Sequence, residues 1–321
     1  MTLPTAATEL LGIDHPIVSA PMAGVGGGRL AAAVSTAGGL GLIGGGYGDE
    51  AWLRHQFDLA DGARVGCGFI TWALASQPQL LDVALTYRPV AVMLSFGDPA
   101  PFAAQIRSSG ARLICQVQNL EQATAALQAG ADVLVAQGNE AGGHGYGHRS
   151  TMTLVPELVD VAAGTPVLAA GGIADGRGLA AALMLGAAGV LMGTRFYAAA
   201  EALSPPHARD TLVSADGDST CRTTVYDIVR GYRWPEGHTM NVLRNAFTDR
   251  WDGAESTLHE QRDDVTAQYQ RAVADDDYRT ANVTAGQAVG LIHSTASAGD
   301  IVASIVGQAA ALLGRETPKP D

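Results

Sequence analysis

The sequence predicts an α/β protein, a (β/α)8 TIM barrel with a small, mainly helical lid inserted after strand eight. Three observations predict it: eight short runs that each hold at least two of Val, Ile and Leu, Ala-rich helix-forming segments between them, and a change of character after residue 203. Apolar runs of this length spaced by helical segments are the pattern of βα units around a parallel sheet, whose strands are buried on both faces.

In chain order the predicted strands are residues 16–20, 39–44, 64–70, 90–95, 112–117, 132–137, 166–170 and 189–193. Helices fit between them at 28–36, 50–60, 78–86, 99–108, 120–129, 154–163 and 178–185. Eight beats in about 200 residues, with further chain to come, match the size of a closed barrel. From Ser204 onward the beat stops, Pro205-Pro206 marks the entrance, and Arg and Asp become frequent. We read 1–203 and 281–321 as the barrel and 204–280 as the lid, with 281–313 returning as a helix and the tail 315–321 frayed. An insertion after the last strand stands over the face where barrel active sites form.

Composition narrows the function. The chain has 321 residues, 47% apolar and 16% charged, which excludes disorder, and 40 glycines with 6% aromatics favour tight turns and close helix packing over a large β-sandwich. A net charge of −12 without a Lys/Arg cluster argues against nucleic-acid binding. Cys67, Cys115 and Cys221 show neither disulfide nor metal-ligand spacing, which fits a reducing cytosol. Residues 1–13 lack the pattern of a signal peptide, and no apolar run is long enough to span a membrane. The expectation is a cytoplasmic enzyme without a metal site, acting on a small molecule.

Four motifs carry the chemistry. Gly26-Gly27-Gly28-Arg29-Leu30-Ala31, with Asp49 downstream, fits a dinucleotide fingerprint, but glycine is so frequent that a plain βα turn explains it better. Ala170-Gly171-Gly172-Ile173 and Met192-Gly193-Thr194-Arg195-Phe196 follow the seventh and eighth predicted strands, which adjoin in a closed barrel. Their N–H groups, helped by a helix N-terminus and the Thr194 hydroxyl, form a phosphate cradle at the usual barrel position. Gln137-Gly138-Asn139-Glu140-Ala141-Gly142-Gly143-His144 ends the sixth strand in a mobile loop with one imidazole. A histidine at the barrel mouth serves as acid or base near neutral pH, and His148 competes from farther out. Gln116 and Gln118 flank Val117, where alternation aims only one face of the strand inward, and Gln116 is placed to present an amide to a polar ring edge. Pro21, Met22 and the run Gly66-Cys67-Gly68-Phe69 offer surface for a flat cofactor, which packing alone would also explain. Cys67 lacks an activating partner and reads as structural.

Together, Ala20-Pro21-Met22-Ala23, the Glu140-Ala141-Gly142-Gly143-His144 run and the two glycine loops resemble the nitronate monooxygenase family, over most of the barrel. The resemblance implies FMN, with its phosphate on Gly171, Gly172, Gly193 and Thr194 and its ring against Pro21, Met22, Gln137 and Gly142. It adds Gly68, Gln116, Gly143 and Met192 to the cofactor-binding set and gives His144 the catalytic place. It implies oxidation of alkyl nitronates with O2 to a carbonyl compound and nitrite, without NAD(P)H. A homodimer is compatible with it. Many members carry an Asn near the end of strand three, where this chain reads Gly68-Phe69-Ile70.

NAD(P)H-dependent quinone reductases and flavin enoyl-ACP or enoyl-CoA reductases share these loops and form the alternative. Arg222, Arg230, Arg233 and Arg244 in the lid would suit an anionic nucleotide or thioester, or else form surface pairs with neighbours such as Asp227 and Asp249. A phosphate-ligand binder without turnover is a reading from another class, which the intact His144 disfavours. A Schiff-base aldolase is disfavoured because the only lysine is Lys319, in the tail.

Overall fold

A computed structural model describes residues 2–314. The tail 315–321, with Lys319, lies outside the described residues. Eight parallel strands close into a barrel: β1 (Ile17–Ser19), β2 (Leu40–Gly44), β3 (Gly66–Ile70), β4 (Ala91–Ser95), β5 (Arg112–Val117), β6 (Val133–Gln137), β8 (Val167–Ala170) and β9 (Gly189–Met192), with β9 returning to pair with β1. These are the eight predicted strands. The chain-order label β7 belongs to Gly143–Tyr146, the segment read from sequence as a mobile loop.

That segment is a strand of a second, three-stranded antiparallel sheet. It pairs with β11 (His238–Leu243), which pairs in turn with β10 (Thr220–Thr223), and His144 stands opposite Met240. Both partner strands come from the lid stretch, otherwise made of short helices from Pro206–Val213 to Arg262–Ala274. The lid has an apolar core of its own around the fully buried Tyr226, with Met240, Val242, Phe247 and Trp251. The glycine-rich run therefore gains its order from hydrogen bonds to the lid rather than from its own weak strand propensity.

The N-terminal end of the barrel is sealed by a helix absent from the sequence reading, Ala6–Leu11, closed by a capping box between Thr5 and Thr8. Its Ala7 and Leu11 join the layers of the barrel interior with Val18, Leu42, Met93 and Ile114. The barrel interior stays open at the C-terminal face, where barrel active sites form. The returning helix is shorter than expected, Ala298–Leu312, preceded by irregular chain with one 3-10 turn. It closes the outer ring against helix Gly176–Met184, where the Gly176 N–H donates to Gln308 Oε1 at 2.7 Å.

The glycines of the supposed dinucleotide fingerprint have a packing role. A Cβ on Gly28 would lie 1.8 Å from the Gln56 carbonyl oxygen, so helix Gly28–Thr36 meets helix Glu50–Leu59 at backbone distance. Asp49 is not placed for a ribose; it caps the second of these helices through the Trp52 N–H. Gly28→Ala is expected to cost about 2 kcal/mol or more, by forcing two backbones apart. An unchanged urea midpoint would contradict this account of the contact.

Candidate active site

The open end of the barrel holds a cavity of about 400 Å3. Pro21, Met22, Gly68 and Gln116 line it, as do Gln137, Gly142, Gly143 and His144. Gly171, Gly172, Met192, Gly193 and Thr194 line it as well, so the residues expected to hold the cofactor and the expected catalytic histidine reach the same space. His148 is exposed and outside it.

At one end the two glycine loops meet. Gly171 and Gly172 take positive φ of 104° and 71°, which an L side chain resists. The N–H groups of Gly171, Gly172, Gly193 and Thr194 have no acceptor among the described residues. A Cβ on Gly193 would touch nothing nearer than Ala20 Cβ at 3.6 Å, so its bareness leaves room rather than relieving a clash. Thr194 Oγ1 accepts the Gly286 N–H at 3.0 Å and keeps its own proton to donate. The longer helix after β8 contributes less than the sequence suggested. Its N-cap Asp175 takes the Arg177 and Gly178 N–H groups and pairs with the Arg177 side chain, so that terminus is already satisfied.

A row of amides crosses the barrel. Gln137 Oε1 accepts from Gln116 Nε2 at 3.1 Å and also from Gln118, while Gln137 Nε2 donates to the His144 carbonyl at 3.1 Å. Gln116 and Gln118 stand two positions apart and so share one face of the strand line. Both amides accordingly reach Gln137, although β5 itself ends at Val117. Gln116 keeps its own oxygen and a proton for a polar ring edge.

The Glu140-Ala141-Gly142-Gly143-His144 run is fixed at both ends. The Glu140 carboxylate accepts the Thr151 N–H and hydroxyl at 3.0 Å, capping helix Thr151–Val161. Asn241 of β11, buried, donates to the Ala141 carbonyl at 3.1 Å. His144 is 9% exposed, which replaces the mobile loop of the sequence reading. Its Nε2 meets Asp227 at 2.9 Å, and its ring stacks on Trp234 with centroids 3.6 Å apart. Burial holds its pKa below the ordinary 6.5; Asp227 pulls the other way, and Arg230 and His238 add to the lowering. The lowering favours the neutral ring, the form able to accept a proton.

Aromatic groups that sequence reading missed form the wall around His144. Tyr47 stacks on Tyr232 at 3.6 Å and accepts the Trp234 indole N–H at 3.2 Å, joining lid to barrel. Phe96, edge-on to Trp234 at 5.0 Å, holds φ of +63°, a costly conformation for a bulky residue and one that clusters at functional sites. Of the four arginines named above only Arg230 lines the cavity, its guanidinium over the Tyr232 ring at 4.8 Å. Arg222 is tied to the Asn139 and Thr239 carbonyls, Arg244 pairs with Asp249 on the surface, and Arg233 is exposed. Asp227, read as part of a solvated face, is buried instead.

A closed parallel barrel whose open end combines two glycine loops, an amide row and a buried histidine is an enzyme of the TIM-barrel class. Residues 4–64 and 67–308 match the family model for nitronate monooxygenase, and the chain belongs to that family, as an oxidoreductase. It is 38% identical over 329 residues to nitronate monooxygenase npaC of Metarhizium robertsii, covering 92% of this chain and 91% of that one. Among solved structures it resembles FabK from Thermotoga maritima, with a TM-score of 0.86, 33% identity and 98% of each chain covered. It also resembles a nitroalkane oxidase from Streptomyces ansochromogenes, with a TM-score of 0.80, 26% identity, and 97% and 99% of the two chains covered. No helix among the described residues is long and apolar enough to cross a membrane.

Proposed function

We propose that the protein is an FMN-dependent enzyme that oxidises alkyl nitronates, and the neutral nitroalkanes that form them, with O2 to a carbonyl compound and nitrite. The observation that carries this reading is the pairing of a buried His144 with four N–H groups that have no acceptor among the described residues, in one cavity. The residues present fit FMN. Gly171, Gly172, Gly193 and Thr194 would hold its phosphate, whose charge suits bare N–H donors. Pro21, Met22 and Gly68 would flank its ring, and Gln116 and Gln137 would meet the polar edge. Gly68 has its own reason to be glycine, since a Cβ there would lie 2.4 Å from Pro21 Cγ and push that proline into the ring's space.

Bound FMN supplies the electron transfer between substrate and O2, which no side chain here can perform. The protein does the rest. Trp234, Tyr47 and Phe96 enclose the reacting end and limit water. His144 takes the α-proton of a neutral nitroalkane; a nitronate arrives without that proton and bypasses the step. The free thiols Cys67, Cys115 and Cys221 suit a cytoplasmic enzyme, whose partners are a small-molecule substrate and O2.

Two expected results follow from this division of labour. Aerobic enzyme loaded with FMN releases nitrite from propyl-2-nitronate without NADH or NADPH; absence of nitrite under those conditions would sink the reading. For 2-nitropropane, kcat/KM falls as pH drops through the lowered His144 pKa, because only the neutral ring accepts a proton. A profile flat down to pH of about 4.5, some two units below the ordinary histidine value, would remove His144 from the proton transfer.

A further inference from the structure

His144 and Asp227 stand 83 positions apart and on different units, β7 and the lid helix Val225–Arg230. The structure nevertheless brings His144 Nε2 to 3.0 Å from Oδ1 and 2.9 Å from Oδ2 of Asp227, with side chains 8% and 7% exposed. An ionised carboxylate only accepts hydrogen bonds, so the nitrogen facing both oxygens carries a proton. In a neutral imidazole the other nitrogen then holds the lone pair. That nitrogen, Nδ1, has no partner among the described residues, is not one of the sealed atoms without a partner, and belongs to a residue lining the cavity. The remaining groups around the ring are Trp234, stacked on its face, and the basic Arg230 and His238. Asp227 is the one acidic side chain among the charged groups that act on it.

We propose that Asp227 is the positioning residue of the proton-transfer step: it holds His144 as the Nε2–H tautomer, so that Nδ1 receives the α-proton of the nitroalkane, and it faces the imidazolium that results. The proposal rests on the nitroalkane reading above and adds to it which atom is the base and what fixes it. In the step the substrate C–H bond breaks, its electron pair stays on the substrate as the nitronate, and an N–H bond forms at Nδ1. The proton on Nε2 stays in place. Because Asp227 belongs to the lid and His144 to the loop after β6, the base is complete only when lid and barrel are joined.

The test uses FMN-loaded full-length protein with 15N-labelled histidine, read by long-range 1H–15N NMR, with His144→Asn assigning the resonance. The expected spectrum has a protonated Nε2 and a lone pair on Nδ1; an Nδ1–H tautomer in the wild type would overturn the proposal. Asp227→Asn, which keeps the shape of the side chain, is expected to lower kcat/KM for 2-nitropropane by at least about tenfold, by analogy with other carboxylates that orient a catalytic histidine. Its acid limb moves to lower pH, because the carboxylate that favours the charged ring is gone. Turnover of propyl-2-nitronate changes by less than about threefold, since no proton is taken from it. A role confined to holding the lid would lower both substrates together and leave the limb in place, and that result contradicts the proposal. If the wild type turns over neither nitro compound, the functional reading fails while the NMR spectrum still decides the tautomer.

Discussion

His144→Asn lowers kcat/KM for 2-nitropropane by about 10²- to 10⁴-fold, the usual worth of a general base, and leaves FMN content unchanged. The ring is buried between Trp234 and Asp227, and His148, the other histidine weighed for the role, is outside the cavity. Asn is smaller than His and polar, so it can still meet Asp227 and keeps the lid seated. Turnover of the preformed nitronate is expected to fall by less than about tenfold, because that substrate needs no base. The contrast between the two substrates carries the result: an equal loss on both would mean that His144 binds rather than deprotonates, and no loss on either would take it out of the chemistry.

Gly193→Asp weakens FMN binding by about a hundredfold, equivalent to about 2.7 kcal/mol. The position isolates charge from strain. Gly193 has φ of −102° and ψ of −69°, which an L residue adopts, and its Cβ would have 3.6 Å of clearance. At Gly172 the φ of 71° would mix backbone strain into any substitution. An aspartate at 193 therefore folds normally but sets a carboxylate where the phosphate would bind, against four N–H groups that can no longer compensate both charges. Gly193→Ala, which adds bulk without charge, is expected to lose less. Wild-type FMN affinity in Gly193→Asp, measured by fluorescence titration of the apoprotein, would refute the cradle.

Much of the barrel was legible because its signal is local. Each strand carries its own apolar run and each βα turn its own glycines, so residues such as Gly171, Gly193 and Gln137 could be placed from their neighbours alone. The rest depends on contacts between distant segments. β11 reads as a short polar-apolar alternation inside an Arg- and Asp-rich stretch, and its pairing partner, Gly143–Tyr146, is half glycine, so neither announces a sheet. Asp227 sits in a six-residue helix with nothing in its flanks to link it to His144. The aromatic wall is drawn from three loops, at Tyr47, Phe96 and Trp234, each unremarkable singly. Only the helix content of the lid could be anticipated, because helical periodicity survives without a partner while a two-sided sheet does not.

The measurement that tests the central claim most directly is anaerobic mixing of the FMN-loaded protein with propyl-2-nitronate and, separately, with NADH and NADPH, following flavin absorbance. Bleaching by the nitronate alone, reversed on admitting O2 with release of nitrite, is the result this account predicts. Rapid bleaching by a reduced nicotinamide with the nitronate inert would contradict it and make the chain a reductase of the same barrel.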